Sequence, residues 1–125
     1  MKIFYSYNEE RAGSLLPQPD SLVTKYITHD PGWGLGATLF WLEDVPSGCQ
    51  IELYSFALEG YANRAFLRTT KRIVSTDKIS FLTAFVSPDN TIIVPGLLKY
   101  RSIKKTTDYR IAIIDAFLHE DRPYV

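Results

Sequence analysis

The sequence predicts a mostly β fold, an antiparallel two-sheet sandwich or a partly open barrel of about seven to nine short strands. Three observations lead there. The chain of 125 residues carries Phe 7, Tyr 8 and Trp 2, and aromatic side chains fit a pleated, half-buried surface better than a helix. Its apolar runs are short and many alternate with polar residues, the two-residue period of a strand. Clusters of Gly, Pro, Ser, Asp and Asn separate these runs about every 8–12 residues.

Taken in order, KIFYSY (2–7) alternates and predicts a first strand. NEERAGSLLPQP (8–19) breaks the pattern with a glycine and two prolines, although 8–16 also fits a short helical turn capped by Asn8. SLVTKYITH (21–29) fits both periods, and its Val, Thr, Tyr and Ile favour a strand. One or two short helices within residues 8–29, packed on a sheet, would make the fold α+β. ATLFWLE (37–43), the turn DVPSGC and QIELYSFALE (50–59) read as a hairpin. RAFLRTTKRIV (64–74), ISFLTAFV (79–86), TIIV (91–94), LLKYRSI (97–103) and YRIAIIDAFL (109–118) complete the set. STDK, SPDN, PG and KKTTD between them supply turn conformations. ISFLTAFV and RIAIIDAFL are apolar on both faces, which places them in a sheet interior or against a partner subunit.

The length suits one domain over residues 1–125 with a single core. One cysteine, Cys49, cannot close an intramolecular disulfide and has no Cys-His cluster nearby, so no structural zinc and no cofactor is predicted. The N-terminus lacks the apolar region of a signal peptide, and no apolar run nears the ~20 residues that span a bilayer. The expectation is a soluble, cytoplasmic protein with no membrane partner.

GWGLGA (32–37) satisfies a loose dinucleotide fingerprint, but that motif works only between a strand and a helix N-terminus that meets the pyrophosphate. Here His-Asp-Pro precedes it and a strand-like ATLFWLE follows. Asp30-Pro31-Gly32-Trp33 suits a type II turn, with Gly34 and Gly36 allowing a bend. Trp33 then either packs or stands as an exposed anchor.

Candidate chemistry is sparse. His29 and His119 titrate near neutrality, and together with Asp30 and Asp115 they could make an acid-base pair if the fold converged them. Adjacent strand residues point to opposite faces, so His29 and Asp30 make a poor pair, and both histidines also fit a plain surface role. Asp115 interrupts an apolar strand, where a carboxylate needs a partner or shifts its pKa; an Arg such as Arg110 or Arg101 would satisfy it structurally. Cys49, placed in the hairpin turn, has no activating group.

Charge is the strongest signal. Residues 64–105 hold nine basic and two acidic side chains, net +7; residues 1–63 hold three and eight, net −5; residues 106–125 hold two and four, net −2. In regular strands Arg64, Arg68 and Arg72 share a face with Phe66 between them, and Lys99 shares one with Arg101.

These features favour a non-enzymatic binding module with an aromatic-lined pocket or partner-facing sheet, using Trp33, Trp41, Tyr54 and Tyr100. Its partner is expected to be a second copy of the chain or another protein, and a small apolar or aromatic ligand also fits. The second reading is nucleic-acid binding through Arg64, Arg68, Lys71, Arg72, Lys99, Arg101, Lys104 and Lys105. The third is a small β-barrel enzyme with Asp115 and His29 or His119 as acid and base.

Overall fold

The structure, a computed structural model, describes residues 1–8, 11–17, 22–27, 36–55 and 63–118. Among them nine strands have four or more residues: β1 (Lys2–Asn8), β2 (Arg11–Leu15), β3 (Leu22–Tyr26), β4 (Leu39–Glu43), β6 (Cys49–Ser55), β7 (Arg64–Thr69), β10 (Thr91–Val94), β11 (Leu97–Ile103) and β12 (Ile111–Leu118). Three more have two residues each, β5 (Val45–Pro46), β8 (Ile73–Val74) and β9 (Ile79–Ser80), and one short helix, α1 (Phe81–Val86), follows β9. All pairings between these strands are antiparallel. They form a four-stranded sheet in the order β2-β1-β4-β9, a six-stranded sheet in the order β10-β11-β7-β6-β12-β3, and the small pair β5-β8. The mostly β class predicted from the alternation is the one observed.

Alternation decides which side of each strand is buried. In β6, Cys49, Ile51, Leu53 and Ser55 are buried while Gln50, Glu52 and Tyr54 face outward; in β7, Ala65, Leu67 and Thr69 are buried while Arg64, Phe66 and Arg68 face outward. Ile3, Tyr5, Phe40 and Leu42 from the four-stranded sheet join Ile51, Leu53, Leu67, Leu97, Ile114 and Ala116 from the six-stranded sheet in one contiguous core. The sheets also meet along the backbone: Ala37, ahead of β4, exchanges two hydrogen bonds with Ile111 of β12, at 3.0 and 2.8 Å.

One alternative and three expectations are corrected. The described parts of residues 8–29 hold strands β2 and β3, the latter as favoured for 21–29, and not the helices of the α+β alternative. Gly13 lies within β2 because an added Cβ there would fall 2.4 Å from the Tyr5 ring, so the apparent pattern-breaker makes room for a core aromatic. The segment 79–86 is not one strand: Phe81, Ala84 and Phe85 are buried at i, i+3 and i+4, the helical period, and Ser80 caps the helix by accepting from the Leu82 N–H at 3.2 Å. Residues 37–43 and 50–59 do not form a hairpin, since β4 pairs with β1 and β9 while β6 pairs with β7 and β12. Asp44, at a φ of 52°, and β5 carry the chain from one sheet to the other. Residues 64–74, predicted as one strand, divide into β7 and β8 around a turn, which leaves Arg72 off the Arg64–Arg68 face.

Candidate functional site

The outer face of the six-stranded sheet carries the densest set of recognition groups. Its register aligns side chains in rows across the strands. Thr24 of β3, Asp115 of β12, Glu52 of β6, Phe66 of β7 and Arg101 of β11 form one row. Ile113, Tyr54 and Arg64 form the next on one side; Phe117, Gln50, Arg68 and Leu98 form the next on the other. Tyr100 also lies on this face, its ring 5.8 Å from that of Phe66, and a bulge in β11 between Lys99 and Arg101 is what brings Arg101 out beside it.

Arginine and aromatic side chains interleave here. The Arg64 guanidinium lies 5.0 Å from the Tyr54 ring centre and 4.9 Å from that of Phe66, and Arg101 lies 5.9 Å from Phe66 on its other strand neighbour. Arg68 sits 5.4 Å from the Tyr100 ring. Each is within the range in which a cation is attracted to the negative face of a ring. Glu52 accepts from the Tyr54 hydroxyl at 2.6 Å and from Arg64 at 3.3 Å. Burial, reinforced by Glu52, pushes the Tyr54 phenol up to about 12, and burial also raises that of Tyr100. Both rings are therefore neutral hydrogen-bonding groups near neutral pH.

One predicted member is missing from this face, because the bulge puts Lys99 and Arg101 on opposite sides of the sheet. Lys99, expected beside Arg101, is fully buried on the opposite side of the sheet. Its ammonium donates to the Phe85 carbonyl at 2.9 Å and to the Ser87 carbonyl, and Asp89 lies 4.0 Å away. It holds the C-terminal end of α1 rather than a ligand, and burial lowers its pKa.

The remaining predicted residues scatter. Trp41 lies on the outer face of the other sheet, stacked on Phe4 at 5.2 Å with Lys78 at 5.4 Å. Lys71 and Arg72 are exposed just beyond β7, and Lys104 and Lys105 just beyond β11. Trp33, His29, Asp30 and His119 lie outside the described residues, as do Gly32 and Gly34. Gly36 and Ala37 lead into a strand, so no helix follows the glycines. Cys49 opens β6 rather than occupying a turn; it is buried, and burial pushes its thiol up to about 12.

Asp115 is half-buried, with Oδ1 buried and without a hydrogen-bond partner among the described residues. The arginines considered for it are engaged elsewhere: Arg110 forks onto Asp108 at 2.9 and 2.5 Å, and Arg101 stands over Phe66. Asp108 and Arg110 line an open cleft of about 370 Å³ with Thr38, Ser80 and Tyr109, which includes none of the aromatic residues predicted for a pocket. Among the described residues no three His, Cys, Asp or Glu side chains stand close enough to hold a metal, and no helix is long and apolar enough to cross a membrane.

Phe66 and Glu52 are the two members that sequence reasoning undervalued. Their outward positions were legible from alternation in RAFLRT and QIELYS; their adjacency was not. No family model, curated protein or solved structure gives a significant match to this chain.

Proposed function

We propose that this chain is a non-enzymatic binding module whose contact surface is the outer face of the six-stranded sheet, over β12, β6, β7 and β11. The observation that carries this reading is the Phe66 ring flanked by the Arg64 and Arg101 guanidiniums, with Tyr54 and Tyr100 beside it. Arginine, tyrosine and other aromatic side chains supply most of the binding energy at recognition surfaces, because they combine a large apolar area with directional polar contacts. A regular sheet also fixes these groups more rigidly than a loop, which lowers the entropy lost on binding. Two groups predicted separately, the aromatic contacts Tyr54 and Tyr100 and the basic residues Arg64, Arg68 and Arg101, support the same surface.

Native mass spectrometry of protein purified without a high-salt wash tests the reading. A second copy or a retained ligand is expected, lost in Phe66→Ala and Tyr100→Ala and kept in Trp41→Ala on the opposite sheet. A bare monomer throughout, or retention indifferent to Phe66 and Tyr100, would remove the face from consideration.

A further inference from the structure

We infer that the occupant of this face is single-stranded nucleic acid, lying along β7 and β11 with its bases turned toward β6 and β12; this rests on the reading of the face as the contact surface. Charge is divided across the sheet in a way that matches such a ligand. The adjacent strands β10, β11 and β7 contain no acidic residue, whereas the outward positions of β6 and β12 include Glu52 and Asp115. Arg101 has no carboxylate partner among the described residues. Lys104 and Lys105 extend the cationic track beyond Arg64 and Arg101, and Lys71 and Arg72 extend it beyond Arg68. β7 alone is about 20 Å long at the usual rise per residue, so the track can follow several successive phosphates.

Phe66 lies between Glu52 and Arg101 in the cross-strand row, with Tyr54 on β6 and Tyr100 on β11 to either side, each ring within 6 Å of a guanidinium. Bases stack on aromatic rings and on guanidinium planes alike, and only a single strand exposes its base faces to do so. The acidic row then supplies the base-edge contact. Asp115 is half-buried and directly opposite Glu52 on the neighbouring strand; its Oδ1 is buried without a hydrogen-bond partner among the described residues, so a ligand would meet the open side of its carboxylate. Two carboxylates facing each other repel; Glu52 is compensated by Tyr54 and Arg64, and a ligand donor would compensate Asp115. The exocyclic amino group of cytosine or adenine is such a donor, and a carboxylate accepts from it. Thymine and uracil present a carbonyl at the equivalent place. The geometry therefore points to a single strand with amino-bearing bases over β6 and β12.

The test is fluorescence anisotropy with labelled oligo(dC), oligo(dT) and a duplex, each of about 12 nucleotides or base pairs, the scale of a single-strand site. Oligo(dC) is expected to bind several-fold tighter than oligo(dT), and both tighter than the duplex. With three arginines on phosphates, raising salt from about 50 to about 200 mM should weaken single-strand binding roughly eighteenfold. Phe66→Ala should cost roughly tenfold through lost stacking. Arg101→Ala, an exposed change that spares the core, should flatten the salt dependence. Asp115→Asn should narrow the preference for oligo(dC).

No binding, duplex binding as tight as single-strand binding, or single-strand binding unmoved by Phe66→Ala and Arg101→Ala would each overturn the nucleic-acid inference. The wider reading is judged separately: a dimer that dissociates in Phe66→Ala keeps the face as a contact surface with a second copy as its occupant. Absence of both removes the two together.

Discussion

Asp108 and Asp115 show how differently two carboxylates of one chain can be placed. Asp108 accepts from the Arg110 backbone at 3.1 Å and from both arms of its guanidinium, and those bonds hold its carboxyl below the ordinary value of 3.8. A depressed pKa in the folded state means that the pair's contribution is complete above that value and is lost as pH falls through the folded-state pKa. Because both side chains are about one-third exposed (34% and 30%), solvent screening keeps the contribution small, about 1 kcal/mol. Asp108→Ala should therefore lower stability by that amount in urea titrations near neutral pH and make no difference once pH is well below the carboxylate range. An equal loss at both pH values would mean that the pair is not what Asp108 contributes. For Asp115, the sequence signalled a carboxylate in an apolar strand. It could not signal that the residue opposite would be Glu52, because cross-strand neighbours lie far apart in the chain.

At the scale of the element, α1 is the clearest case of context overriding composition. FLTAFV is rich in strand-favouring residues, and six residues are too few to be helical alone in water. Burial of Phe81, Ala84 and Phe85 selects the helix, with the Phe81 ring stacked 4.8 Å from Phe40. Its C-terminal carbonyls are then met by side chains from β11, with Lys99 donating to those of Phe85 and Ser87 and Ser102 donating to that of Phe85 at 3.2 Å. Lys99→Met keeps the length of the side chain and removes the charged donor. Loss of these bonds should cost about 1–3 kcal/mol, reduced by the relief of no longer burying a charge. Denaturant unfolding measures the result, and a variant as stable as the parent would show that α1 does not depend on the amine.

Across the whole molecule, the joint between the sheets depends on Gly36. Its φ of 98° lies where side chains are rarely tolerated, and an added Cβ would sit 2.4 Å from the Ile111 carbonyl oxygen. Gly36→Ala must move the backbone that pairs Ala37 with Ile111. A loss of about 2–4 kcal/mol is expected, read as a lower urea midpoint, because strain and the broken joint act together. An unchanged midpoint would show that the contact between the sheets at this point is dispensable. The glycine-rich stretch thus has a structural use at its final glycine, where a turn or bend was read from the sequence.

The sequence by itself determined the mostly β class, the positions of most strands and turns, the outward alternation of Arg64, Phe66 and Arg68, and the basic character of residues 64–105. Each is local, carried by a two-residue period or by simple charge over a short span. Tertiary structure alone decided that β6 lies between β7 and β12 rather than beside β4, that Lys99 faces inward with Leu97 while a bulge at Tyr100 turns Arg101 outward, and that 81–86 coils. Strand pairing is a choice among many partners with similar local patterns, and one inserted residue reverses every side chain beyond it. The face that gathers Glu52, Tyr54, Arg64, Phe66, Tyr100, Arg101 and Asp115 is therefore written in the chain as separate alternations. It becomes a single surface only when long-range pairing sets the order of the strands.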